Sequence, residues 1–408
     1  MPNSTVSIDV VFLAVALNQG WWVMVTDYKG LHSQLAAGPQ SGYATLDSVR
    51  VVLNEGRKIG LAADVRIVGG KISVDSVLRI SVSTLIVLRN SDPSQLLVFQ
   101  AAYCRKRRLQ SIIYTLRPGS ATGGLLGVLM PNSTVSIDVV FLAVALNQGW
   151  WVMVTDYKGL HSQLAAGPQS GYATLDSVRV VLNEGRKIGL AADVRYAIWG
   201  YSGGSLAGGS AAELQPPYAP ELHFTGAALG SIIINGGIFS GRLFRGFYGL
   251  AKTYQNLTAW MDENVLPDKR AEFFKHATNC QIQGIDGAFH DIFSYFIDGE
   301  RPIYEPVPAS VLDWSGQMGR RGMPTMPLFM YKAFGDEISP VEDTDKLVHK
   351  YCSNRATFEY YRNLIGGHVT EAIIGSVNAL EWVSDHLAGR PVRNLGSCRT
   401  ENVLITKI

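Results

Sequence analysis

Cysteine is scarce in this chain, with four in 408 residues: Cys104, Cys280, Cys352 and Cys398. That number excludes a small domain framed by disulfides, which carries far more cysteine per residue. No run of 18 apolar residues survives interruption, so an integral membrane span is not expected. The apolar stretch near Met1 is also not expected to be a secretion signal. Val10 to Leu17 is apolar, but no Lys or Arg precedes it, Asp9 adjoins it, and the same residues recur inside the chain at Val139 to Leu146. Excess charge of one sign is absent too, since 36 Lys and Arg face 34 Asp and Glu. One basic run, Arg105-Lys106-Arg107-Arg108, lacks interleaved aromatics, and no nucleic-acid partner is expected from it.

What the chain does have is a verbatim repeat. Met1 to Arg66 recur unchanged as Met130 to Arg195. Solenoid repeats diverge in sequence and need three or more copies to bury a core, so two identical copies around unrelated sequence are not a repeat architecture. The spacer, Ile67 to Leu129, holds eight Lys and Arg against two Asp, which leaves the rest of the chain net acidic. Copy one runs into this spacer, whereas copy two runs into the apolar strand Tyr196 to Trp199. Residues 1–129 are therefore read as a duplicated segment plus spacer outside any native domain. By that reading, Trp21 to Asp27 forms an unpaired strand, and Trp150 to Asp156 lies beside the strand leading to Ser202.

The strand Tyr196 to Trp199 leads into Gly200-Tyr201-Ser202-Gly203-Gly204, a serine between glycines followed by the small-residue helix Ser205 to Leu214. This strand-turn-helix context marks a nucleophile elbow, which holds a serine at a strained position and exposes its hydroxyl at a sheet edge. Upstream and downstream, strands and helices alternate through short Gly-containing loops, as in a parallel sheet covered by helices. Two later strand ends carry polar groups, Asp336 after Pro327 to Phe334 and His368 after Ala356 to Tyr361. Ser202, Asp336 and His368 stand in the chain order of α/β-hydrolases, in which histidine takes the serine proton and a carboxylate fixes its tautomer. Glu337, Asp343 and Asp345 compete with Asp336 for that role. His223, His276, His290, His349 and His386 lack a strand-end setting and read as surface or packing residues.

These motifs, with Ala145 to Tyr157, Ser170 to Asp176, Gly335-Asp336-Glu337-Ile338 and Gly367-His368, resemble the fungal secretory lipases of the Candida lipase A type over about residues 130–400. The resemblance implies an α/β-hydrolase fold with a mostly parallel sheet and a helical lid insertion. It divides the chain into a core at 130–238, a lid at 239–310 and a core at 311–408. It implies a secreted monomer that hydrolyses triacylglycerols and other carboxylic esters at an oil–water interface through an acyl-serine, with no cofactor and no metal. Ser202, Asp336 and His368 become catalytic, the Gly203 backbone N–H an oxyanion donor, and Cys352 and Cys398 a disulfide. The family also pairs Cys280 with an upstream cysteine, for which the spacer offers only Cys104. Its early strands and second oxyanion donor have no counterpart before Met130, so a silent, mis-joined polypeptide is the alternative. The lid stretch 239–304 holds 13 of the chain's aromatics, read as substrate-binding or as the insertion's own core.

Overall fold

Uninterrupted apolar runs such as Leu96-Leu97-Val98-Phe99 and Trp150 to Val154 cannot present a polar face to water, so they belong to strands covered on both sides. The computed structural model describes residues 70–76, 79–86 (backbone only for both), 91–100, 141, 144–146, 148–158, 163–186, 189–232, 243–278, 290–390 and 397–404. The chain divides into two units. One, Gly70–Leu109 with Ala145–Ile408, holds all the elements below, and the other, Met1–Gly69 with Gln110–Val144, falls almost wholly outside the described residues.

In chain order the sheet strands are β1 (Gly70–Ser76), β2 (Arg79–Ile86), β3 (Asp92–Gln100), β4 (Trp150–Thr155), β5 (Arg195–Tyr201), β6 (Gly226–Gly230), β7 (Leu328–Ala333), β8 (Phe358–Asn363) and β9 (Cys398–Val403). Their spatial order is β1-β2-β4-β3-β5-β6-β7-β8-β9. From β4 to β9 every pairing is parallel, and β1 and β2 form an antiparallel hairpin whose second strand runs antiparallel to β4. Helices α1 (Gly167–Gly185) and α2 (Gly203–Tyr218) follow β4 and β5. Between β6 and β7 lie α3 (Leu243–Ala251), α4 (Gln255–Asn264), α5 (Arg270–Thr278), a 3-10 turn at Ile292–Tyr295 and α6 (Pro306–Val311). Helices α7 (Val341–Ser353) and α8 (His368–Leu387) complete the described helices that position the site.

Strand β3 corrects the reading of residues 1–129. It comes from the spacer, yet it separates β4 from β5, pairing Leu97 with Val152 on one side and with Ala197 on the other. Trp150–Thr155 is therefore one strand removed from the serine strand. The physical reason is burial: Leu96, Leu97, Val98 and Phe99 are at most 1% exposed, and each such side chain gains roughly 1.5–3 kcal/mol on leaving water. The backbone between the two neighbours also finds its hydrogen-bond partners there. The expectation for Trp21 to Asp27 lies outside the described residues.

Candidate active site

The sequence at the end of β5 leaves room for one unusual conformation. Ser202 has φ 54° and ψ −117°, a sparsely populated region for any residue with a Cβ, at a cost of about 1–3 kcal/mol. The surroundings hold it there. Its N–H donates to the Gly230 carbonyl at 2.9 Å, and Ser205 Oγ lies 2.7 Å from both the Gly200 and Gly230 carbonyls. The flanking glycines are required by space. A Cβ on Gly200 would stand 2.5 Å from the Gly204 carbonyl oxygen, and one on Gly204 would stand 1.9 Å from the Gln100 carbonyl oxygen at the end of β3.

His368 opens α8, and its backbone N–H donates to Glu337 Oε2 at 2.8 Å, while the Tyr201 hydroxyl donates to its carbonyl. With the main chain fixed on both sides, the imidazole spans the site. Nε2 lies 2.9 Å from Ser202 Oγ, and Nδ1 lies 3.0 Å from each Asp336 oxygen. Asp336 is held in turn by the N–H groups of Ile338 and Ser339, both donating to Oδ1 at 3.0 Å. All three side chains are buried. The competing acids are engaged elsewhere: Glu337 on the His368 main chain, Asp343 with Lys346 at 3.3 Å and Asp345 with Arg362 at 3.4 Å.

Lys332 carries a charge inside the otherwise apolar strand β7, and its Nζ lies 3.0 Å from Asp336 Oδ2 with both side chains fully buried. The contact is an ion pair by distance without an aligned hydrogen bond. Burial pushes the Asp336 carboxyl up, but the hydrogen bond and charge of His368, the charge of Lys332 and the Ile338 N–H outweigh it and hold the group well below the usual carboxylate range. Burial pulls Lys332 down, with Asp336 opposing. Glu371 on α8 is a further buried acid. Desolvation pushes its carboxyl up to about 7, against two hydrogen bonds from Asn363 Nδ2. A charged residue inside an apolar strand, as at Lys332, was the signal available for this layer.

Gly203 takes the first position of α2, where the N–H has no partner within the helix and the helix dipole favours negative charge. The nearest atoms to a Cβ built there would be Tyr157 Oη at 3.6 Å and Leu164 Cδ1 at 3.9 Å. Leu164 also receives α3, since a Cβ on Gly249 would fall 2.4 Å from its carbonyl oxygen. The insertion thus abuts the residue that flanks Gly203. Its rings mostly meet one another: Phe244 with Phe273 at 5.2 Å, Phe247 with Trp260 at 5.7 Å and Trp260 with Phe296 at 5.5 Å. Cys352 and Cys398 form a disulfide with Cα atoms 5.7 Å apart, joining the end of α7 to β9. Cys104 and Cys280 lie outside the described residues.

Strand ends that bring serine, acid and histidine together in this chain order place the protein among serine hydrolases of the α/β-hydrolase class. The sequence matches the family described as "Secretory lipase" over residues 1–70 and 127–394, and the chain belongs to that family. It is 34% identical to Lipase A of Arthroderma benhamiae over 338 residues, covering 80% of this chain and 70% of that one. It is 32% identical to Lipase 6 of Candida albicans over 332 residues, covering 76% and 69%. The fold resembles the crystal structure of Candida antarctica lipase A in its closed state, with TM-score 0.64, 22% identity and coverage of 80% and 79%. The enzyme is thus a serine hydrolase of the lipase or esterase type.

Proposed function

We propose that this chain hydrolyses carboxylic esters, triacylglycerols among them, through an acyl-serine intermediate. The observation that carries the reading is the continuous line from Asp336 through His368 to Ser202 on a serine at positive φ. Ser202 Oγ attacks the ester carbonyl carbon as its proton passes to His368 Nε2. Negative charge develops on the carbonyl oxygen, and the Gly203 N–H at the helix N-terminus is the donor positioned to receive it. The imidazolium is stabilised by Asp336, and it then returns the proton to the leaving alkoxide. Water repeats the sequence on the acyl-serine, releasing the acid and restoring the hydroxyl.

His368 first and then Lys332 hold Asp336 in its ionised form against its burial, so the carboxylate and not its neutral acid faces Nδ1. Around the same strand ends stand exposed apolar side chains: Phe334, Leu364, Ile365 and Val369 are 45–57% exposed. Such a rim beside a buried serine suits a substrate presented at an oil surface. Family membership supports secretion, and among the described residues no helix is long and apolar enough to cross a membrane. The serine, histidine and acid all come from one chain, which suits a monomer as the working unit.

The test is initial-rate hydrolysis of p-nitrophenyl butyrate in solution and of emulsified tributyrin, with Ser202→Ala as the background. Turnover of both esters above that background is expected. A chain no faster than Ser202→Ala on either ester would favour the silent alternative, which the intact contacts and the β3 strand beside β5 speak against.

A further inference from the structure

A second cluster of reactive side chains lies in the insertion between β6 and β7. Glu272 and His276 are four residues apart on α5, so both face the same side of the helix. His290 reaches them from the segment leading into the Ile292–Tyr295 turn. One ligand atom from each of the three lies within 4.8 Å of the others. His276 Nε2 is 3.6 Å from Glu272 Oε1, too far for a hydrogen bond, and His290 Nδ1 is 4.0 Å from the same oxygen. The two imidazole rings stand 4.6 Å apart.

His276 supplies the second observation. Its side chain is 7% exposed, wedged against the rings of Phe244 and Tyr295, and its Nε2 is buried with no hydrogen-bond partner. An orphaned buried imidazole nitrogen costs free energy unless something fills its lone pair. Here that nitrogen points toward a carboxylate and a second imidazole, each on a side chain with 41–49% exposure and freedom to turn.

We propose that Glu272, His276 and His290 bind a divalent transition-metal ion, zinc by the chemistry of the donors, which ties α5 to the start of the Ile292–Tyr295 turn. Two neutral imidazoles and one carboxylate suit zinc and its neighbours better than the hard cations calcium and magnesium, which prefer all-oxygen sites. Tetrahedral zinc with bonds near 2.0–2.1 Å sets its ligand atoms about 3.3 Å apart. The cluster therefore closes by roughly 1.5 Å at most, through rotation of the exposed Glu272 and His290 toward a fixed His276. Water completes the fourth position on the open side. His290 Nδ1, the nitrogen nearest Glu272, now lies 3.0 Å from the Tyr295 hydroxyl, so zinc takes the place of that contact. This assignment is independent of the ester chemistry.

The experiment titrates the metal-stripped full-length chain, without an affinity tag, with zinc chloride by isothermal calorimetry, and reads the thermal midpoint in parallel. About one saturable zinc per chain is expected, with a midpoint that rises with zinc because only the folded state holds the three ligands together. Magnesium chloride should give neither signal. His290→Ala and Glu272→Gln, both at exposed positions that the fold tolerates, should each weaken zinc binding more than about tenfold, the loss that even an outer partner of a metal site causes. A cooperative thermal transition in the absence of metal, with the far-ultraviolet circular dichroism of the wild-type chain, certifies that each variant is folded. Zinc binding that is absent from the wild-type chain, or equally tight in both variants, overturns the proposal.

Discussion

Replacing Asp336 with Asn changes one atom and two properties. The Asn Oδ1 can still accept from the Ile338 and Ser339 N–H groups, as Asp336 Oδ1 does at 3.0 Å. That orientation turns the new NH2 toward His368 Nδ1 and Lys332 Nζ. The imidazole must then accept at Nδ1 and carry its proton on Nε2, where it faces Ser202 Oγ and can no longer take the serine proton. A wrong tautomer of this kind lowers turnover by about ten-thousand-fold in other triads, about 5.4 kcal/mol in activation free energy. The same substitution strands Lys332 without its counter-charge in a fully buried site, which costs about 3–5 kcal/mol of stability when one partner of a buried pair is removed. Adding Lys332→Met separates the two effects. The double variant should recover most of the stability in guanidinium melts and none of the turnover of p-nitrophenyl butyrate. A single variant within tenfold of wild type, or a double variant that regains activity, would refute the tautomer argument.

Three further outcomes follow from other contacts. Burial raises Glu371 to about 7, so the folded state holds its proton more tightly than the unfolded chain does; the resulting stability is complete below about pH 4.5 and is lost as pH rises toward 7. Glu371→Gln should remove that slope from urea melts taken between pH 4.5 and 7.5, and an unchanged slope would contradict it. Gly204→Ala should abolish soluble expression or Ser202 labelling, because its Cβ would collide with the Gln100 carbonyl of β3; a normally active variant would mean that β3 does not lie against α2. The Cys352–Cys398 bridge spans 46 residues, and Cys352→Ser with Cys398→Ser should lower stability by about 4 kcal/mol on the chain-entropy estimate, measured as a fall in the denaturant midpoint; an unshifted midpoint would refute it.

The elbow was legible because its chemistry is local. Glycines at 200 and 204 and an apolar strand before Ser202 allow one turn, and the structure shows that turn. The meeting of Asp336 and His368 was legible for a similar reason: in a parallel sheet, loops at strand carboxyl ends share one edge, so order along the chain constrains neighbours in space. The place of strand β3 is not legible in the same way, although Leu96-Leu97-Val98-Phe99 bears the pattern of a covered strand. A repeat marks where sequence recurs, while position in a parallel sheet is set by burial and pairing, which ignore chain order. A lone charge in an apolar run, as at Lys332, signals a buried partner without naming it, and no sequence period shows that Glu371 on a helix meets Asn363 of β8. His276 and His290 read from sequence as surface or packing residues for want of a strand end, whereas a helix is what brings His276 beside Glu272.

Mass mapping after reaction with a fluorophosphonate tests the central claim most directly. Ser202 lies 2.9 Å from His368 Nε2 and at positive φ, so the account predicts one phosphonyl adduct per chain, on the peptide containing Ser202, lost in Ser202→Ala and strongly slowed in Asp336→Asn. An adduct on another serine, labelling that persists in Ser202→Ala, or a folded wild-type chain that takes no label would contradict it.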